Sequence, residues 1–141
     1  MSQTQVPTCF VAGDYETIDY TPAADVQVYG GDVIVINNGV FIAPRDIPNA
    51  AGSDLDGTHT GALARTLGRW CGPKKSGEVL AVNAKLYYDA SGNPVGGTAG
   101  TGAFTGVSTG HKECGVVTKA AGASDPTVEF ALNDPGVMPQ S

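Results

Sequence analysis

The chain has 141 residues, among them 20 glycines and nine prolines, and 14 acidic against 8 basic side chains give it a formal net charge of −6. That length suits one domain with a real hydrophobic core, and a Gly/Pro-rich, charge-poor composition describes short strands and many turns rather than helices. The acidic balance argues against nucleic acid, whose phosphates need Lys/Arg patches, and against an anionic membrane surface.

No apolar run reaches the roughly 18 residues of a membrane-spanning helix. The opening MSQTQVPTCF lacks the basic and long apolar regions of a secretory signal, so synthesis in a cytoplasm is expected. Cys9, Cys71 and Cys114 are odd in number and far apart, which predicts three free thiols rather than a disulfide framework.

In chain order, Met1 to Thr8 is polar and reads either as an arm, disordered alone or ordered only against a partner, or as an ordinary frayed terminus. With Cys9-Phe10-Val11-Ala12 as a first strand, the arm region is 1–12, the β-domain 13–132 and a C-terminal tail 133–141. Thr17 to Tyr20 alternates, with Ile18 and Tyr20 on one face. Pro22 breaks that strand and Val26 to Tyr29 resumes it.

The longest apolar run, Val33-Ile34-Val35-Ile36, is followed by Asn37-Asn38-Gly39 and a second run, Val40-Phe41-Ile42. Asparagine and glycine tolerate positive φ, so this is a tight antiparallel hairpin, ended by Pro44. Pro48 to Gly57 is a loop by composition. Thr58 to Trp70 admits two readings: Leu63, Leu67 and Trp70 share a helical face, whereas period two groups Leu63, Arg65, Leu67 and Arg69. Gly61 and Gly68 weaken the helix.

Gly72 to Gly77 reads as a turn, with Lys74-Lys75 solvated. Val79 to Tyr88 reads as two short strands meeting at Asn83, and Ala90 to Pro94 as a hairpin loop. Val95 to Gly110 has only Phe104 and Val107 as large apolar residues and reads as an extended surface loop. Cys114 to Thr118 and Thr127 to Leu132 are the last two strands. The fold class is therefore all-β, a small sandwich or barrel.

The order Asp19-Tyr20-Thr21-Pro22, Gly31-Asp32-Val33-Ile34-Val35, Gly39-Val40-Phe41-Ile42-Ala43 and Asp46-Ile47-Pro48 resembles the capsid cement, or decoration, proteins of tailed bacteriophages. Gly61-Ala62-Leu63-Ala64, Gly77-Glu78-Val79-Leu80, Leu86-Tyr87-Tyr88-Asp89, Gly115-Val116-Val117 and Thr127 to Leu132 keep the same order. The resemblance implies a strand near Leu63, and Ala43 to Pro48 resembles part of β-clip folds, so a β-clip- or β-tulip-like domain is expected.

It also implies a virion protein made in the host cytoplasm that binds the outer surface of the assembled capsid as a homotrimer. The partner is the major capsid protein, and no enzyme activity, cofactor or metal is implied. The arm supplies the candidate contact residues Gln5, Val6, Pro7, Phe10 and Val11, since an extended segment can add a strand to an exposed sheet edge. The tail from Asn133 is a second candidate.

Other chemistry is weaker. Asp56-Gly57-Thr58-His59 resembles the histidine motif of subtilisin-type proteases, but the chain is too short and too β-rich for that scaffold, and no matching serine motif follows. Asp54 and Asp56 start like a calcium loop, yet the twelfth position is Arg65 rather than glutamate. His111 and Cys114 are three apart without a second close pair, which predicts no zinc site. Two rival functions remain: a small hydrolase using His59, and a host- or carbohydrate-binding module using Tyr87, Tyr88 or Trp70.

Overall fold

The computed structural model describes residues 5–23, 26–37, 39–47 and 60–133. Met1 to Thr4, the Asp54/Asp56 loop with His59, and the tail beyond Asn133 lie outside the described residues. Among the described residues there are ten strands: β1 (Cys9–Ala12), β2 (Glu16–Tyr20), β3 (Val33–Ile36), β4 (Gly39–Ile42), β5 (Gly61–Thr66), β6 (Arg69–Pro73), β7 (Lys85–Asp89), β8 (Ala103–Thr105), β9 (Lys112–Lys119) and β10 (Thr127–Leu132). They form a six-stranded sheet, β1-β6-β10-β9-β7-β8, and a four-stranded sheet, β2-β5-β4-β3, with every strand pair antiparallel. The all-β expectation holds.

The predicted hairpin forms with Val33 opposite Ile42 and Val35 opposite Val40, and Asn37 sits at φ 52°, in the left-handed region that asparagine tolerates. Of the stretch Thr58 to Trp70, the described residues resolve as strand, Gly61–Thr66 in β5 and the start of β6 from Arg69. The chain turns a corner at Leu67 and Gly68, where φ is 72° and 78°, and passes from β5 in the small sheet to β6 in the large one. The β1–β2 segment bends beside it at Gly13, φ 90°, which leaves an added Cβ only 3.6 Å from Gly68 Cα. The register runs from Cys9 opposite Cys71 through Ala12 opposite Arg69 to Tyr20 opposite Gly61. These four strands are thus one bent two-stranded ribbon shared by both sheets.

Between the sheets lies one core. Val33, Val40, Ile42 and Ala64 come from the small sheet, and Trp70, Leu86, Phe104, Val117, Val128, Phe130 and Leu132 from the large one. The Phe104 and Phe130 ring centroids are 4.6 Å apart. Burying each such side chain contributes about 1.5–3 kcal/mol. The outer face of the small sheet carries a second cluster of Val28, Ala43, Ile47 and Leu63, with Ile18, Tyr20, Ile34, Ile36 and Phe41 half-buried around it. Both faces of β5 are therefore covered, which is why Leu63 and Ala64 are both buried and period two fails there.

Several expectations are corrected. Lys74 is fully buried, not solvated: its ammonium donates to the carbonyls of Lys75 (2.9 Å), Glu78 (2.6 Å) and Ala123 (3.2 Å). Burial lowers its pKa, opposed by the nearby Glu78 and Asp125 carboxylates. Gly72 and Pro73 belong to β6 rather than to a turn. Phe104 lies in β8, a strand with all three residues buried, inside the stretch that reads as surface loop. Lys74 bridges Phe104 in parallel and Lys75 N donates to Phe104 O at 2.9 Å, so the large sheet curls until its β8 edge meets the end of β6. Val79 to Val82 is not a strand; Leu80 makes a single bridge to Ala121, and Val79 and Val82 are exposed. Val26 to Tyr29 contributes only the bridge Val28–Ile47.

Gly115 lies in β9 directly under β10, and a Cβ there would strike the carbonyl oxygen of Ala131. Substitution of Gly115→Ala is expected to lower stability by about 1–3 kcal/mol through overpacking, read as a fall in the denaturation midpoint.

Candidate interaction surface

The described part of the arm is not free. Gln5 Oε1 accepts from Val33 N (2.6 Å) and Gln5 Nε2 donates to the Tyr88 hydroxyl (3.3 Å), so one side chain joins β3 to β7. Thr8 N donates to Gly31 O at 2.9 Å, and Thr8 is buried. Val6 lies beside Gly97, and Pro7 against Gly31. This corrects the expected loose arm for Gln5 to Thr8: the Gln5 side chain and the Thr8 backbone N–H hold it by satisfying backbone groups at and just before the start of β3, a route that an apolar-burial argument overlooks.

A consequence concerns the sheet edges. The β8 edge meets the end of β6, and Gln5 to Thr8 occupies the start of the β3 edge. Among the described residues, the open edge of both sheets is then the bent β1–β2 strand. Phe10 and Val11 on it are 45% and 41% exposed, the predicted candidates most available to a partner. Gln5 and Val6 are half-buried, and Pro7 is exposed but packed on Gly31. Below the corner the same edge is acidic, with exposed Asp14, Glu16 and Asp19.

Phe10 also covers Trp70. The Phe10, Tyr15 and Trp70 rings form a triangle with centroid separations of 5.1–5.3 Å, and Trp70 Nε1 donates to Leu67 O at 3.1 Å. Tyr15 has no signal in the sequence, because Trp70, which brings it and Phe10 together, is far away along the chain. A second exposed apolar group, Val79, Val82 and Val107, lies on the loops after β6 and β8, which Glu78 ties together by accepting from Thr105 Oγ1 and from Gly106 N (2.9 Å).

The residues proposed for glycan binding do not form an exposed aromatic cluster. Trp70 and Tyr88 are buried and Tyr87 is half-buried. Burial pushes the Tyr88 hydroxyl far above its ordinary pKa, with nearby Asp32, Cys114 and Asp89 adding to the effect. His59 lies outside the described residues. The other histidine, His111, sits 3.7 Å from Asp89, whose Oδ2 also meets Lys75 Nζ at 3.1 Å. Ser91 Oγ donates to Asp89 Oδ1 (3.3 Å), so the hydroxyl faces the carboxylate rather than the imidazole and is not arranged as an activated nucleophile. Among the described residues, no cluster of three or more His, Cys, Asp or Glu side chains is placed to hold a metal.

Asp89 is a structural clamp at the end of β7. Burial pushes its carboxyl pKa up, but hydrogen bonds from Lys75 and the Ser91 backbone, with the nearby His111 and Lys75 charges, outweigh burial and hold it below the usual carboxylate range. A depressed folded-state pKa gives stability that is present above the unfolded value of 3.8 and is lost as pH falls through the folded one. Melting temperature should therefore drop on acidification below that value, and an Asp89→Asn variant should lose part of that acid-dependent drop.

A family model described as phage cement protein matches residues 12–132. No curated protein and no solved structure matches the chain. The match spans nearly the whole described domain, from the end of β1 to the end of β10. The chain belongs to the phage cement protein family, structural proteins of the virion associated with its capsid.

Proposed function

We propose that this protein binds the outer surface of the assembled capsid as a homotrimer and stabilises it by bridging neighbouring copies of the major capsid protein. The observation that supports this most is the open β1–β2 edge with exposed Phe10 and Val11. An open edge presents unpaired backbone donors and acceptors, and natural proteins rarely leave one without covering it or using it. An added strand from the capsid would gain backbone hydrogen bonds there, with apolar side chains packing on Phe10 and Val11. The carboxylates Asp14, Glu16 and Asp19 favour a partner strand flanked by basic residues.

Bridging needs at least two contact surfaces on each copy. The exposed Val79, Val82 and Val107 group, on loops remote in sequence from the β1 edge, supplies the second. Three linked copies engage together, so modest single contacts add up to strong attachment without any new interaction. In this reading Gln5, Val6 and Pro7 act by fixing the path of the chain into β1, while Phe10 and Val11 make the contact. In the division of 1–12, 13–132 and 133–141, the first segment then carries the contact at Phe10 and Val11 while its described part packs into the β-domain.

A Val11→Asp variant tests this, because it places a charge on an exposed edge without touching the core. It should keep the wild-type melting temperature within a few degrees and lose at least tenfold in affinity for purified undecorated capsids, measured by co-sedimentation. Wild-type protein should also raise the temperature at which those capsids come apart. Undiminished binding by Val11→Asp would move the contact away from this edge.

A further inference from the structure

Cys9 and Cys71 are far apart along the chain, yet they are direct partners in the β1–β6 register. Directly opposed residues of an antiparallel pair have Cα atoms about 4.5 or 5.5 Å apart, depending on the hydrogen-bonding position. Both spacings lie within the range of about 4.4–6.8 Å that a disulfide spans. The two side chains share a face, because paired residues project to the same side of a sheet. That face is the outer one. Their neighbours Phe10 and Trp70 project inward to the aromatic cluster, and the partner of Cys71 on its other side is the half-buried Glu129, 4.0 Å from Lys119.

Both thiols are free, Cys9 exposed and Cys71 partly so. The third cysteine does not compete: Cys114 is fully buried with its Sγ directed at Leu86 O (3.5 Å), and burial together with Glu113 keeps its thiol protonated. We propose that Cys9 and Cys71 form a dithiol modification site, which a low-molecular-weight disulfide of the glutathione class converts into a cross-strand disulfide. The bond would fasten the open edge strand β1 to β6.

The exchange proceeds in two steps. One cysteine loses its proton to solvent, and its thiolate attacks a sulfur of the small disulfide, forming a mixed disulfide and releasing one small thiolate. The second cysteine, also deprotonated, attacks the protein sulfur of the mixed disulfide. The Cys9–Cys71 bond forms, a second small thiolate leaves, and both released thiolates take up the protons. The protein is oxidised by two electrons and the small disulfide is reduced to two thiols. A reducing cytoplasm holds the pair open, and an oxidising exterior closes it.

The test incubates the folded full-length protein with glutathione disulfide and follows its mass. The expected result is loss of two hydrogens, reversal by dithiothreitol, and a proteolytic fragment joining Cys9 to Cys71. The single variants Cys9→Ser and Cys71→Ser, both altered at solvent-reachable positions, should instead gain one glutathione adduct and lose no hydrogen pair. The oxidised wild type should melt several degrees higher than the reduced protein, because closing so long a loop restricts the unfolded chain. Stable glutathione adducts on wild type without an internal link, a link that involves Cys114, or a link that forms only in denaturant would each overturn the proposal. An oxidised protein with an unchanged melt would overturn the fastening of β1.

Discussion

The constraint on which the rest of the structure depends is the corner at Gly13 and Leu67-Gly68. There one antiparallel ribbon leaves the four-stranded sheet and enters the six-stranded one. The bend demands left-handed backbone at three residues, and only two of them are glycine. Leu67 at φ 72° carries a strain of order 1 kcal/mol, since its Cβ crowds its own backbone. Three hydrogen bonds hold it there: Leu67 N to Leu132 O (2.8 Å), Leu132 N to Gly68 O (3.2 Å) and the Trp70 indole to Leu67 O (3.1 Å). The corner is thus pinned to the end of β10, and the aromatic triangle packs over it. With the corner fixed, the two sheets face each other and the central core can close.

Buried polar groups hold the remainder in place. Lys74 spends its three ammonium protons on three carbonyls from two loops, which fixes the path of the chain where the curled sheet meets β8. Asn133 does similar work at the opposite side, donating from its amide to Val40 O (3.0 Å) and Arg65 O (2.9 Å), while Thr66 Oγ1 donates to its carbonyl (2.6 Å). Gln5 joins the start of β3 to Tyr88. Each of these side chains satisfies backbone groups that the short, irregular strands leave unpaired, the expected need in a fold with so much turn. Among the described residues, two of the four sheet edges, those of β8 and β3, are closed at least in part. The bent β1–β2 strand is left open among these residues, so the proposed interaction surface follows from the same economy of hydrogen bonds that stabilises the domain.

Much of the strand plan was legible from local pattern. The Val33–Ile36 and Val40–Ile42 runs around Asn-Asn-Gly dictated their hairpin, because alternating burial and a left-handed turn are properties of adjacent residues. Thr127 to Leu132 and the Cys9 to Ala12 strand were equally plain. Misreadings fell where burial is decided by distant chain. Lys74 reads as solvated because nothing near it in sequence announces the carbonyls of Glu78 and Ala123. Phe104 sits in a Gly/Thr-rich stretch whose polarity hides a fully buried three-residue strand. Val79 looks like a strand residue, but only Leu80 beside it finds a partner, in Ala121.

By itself, then, the sequence determined the fold class, the positions of most strands and, through the order of its motifs, the resemblance to phage cement proteins. Composition and periodicity act over a few residues, and the chain records them directly. Tertiary structure alone decided which edge stays open, that Gln5 to Thr8 belongs to the domain, that Tyr15 and Phe10 shelter Trp70, and that Cys9 lies opposite Cys71. All four are matters of register between strands remote in the chain. Register is set by the packing of whole sheets and the geometry of one corner, which no window of neighbouring residues contains.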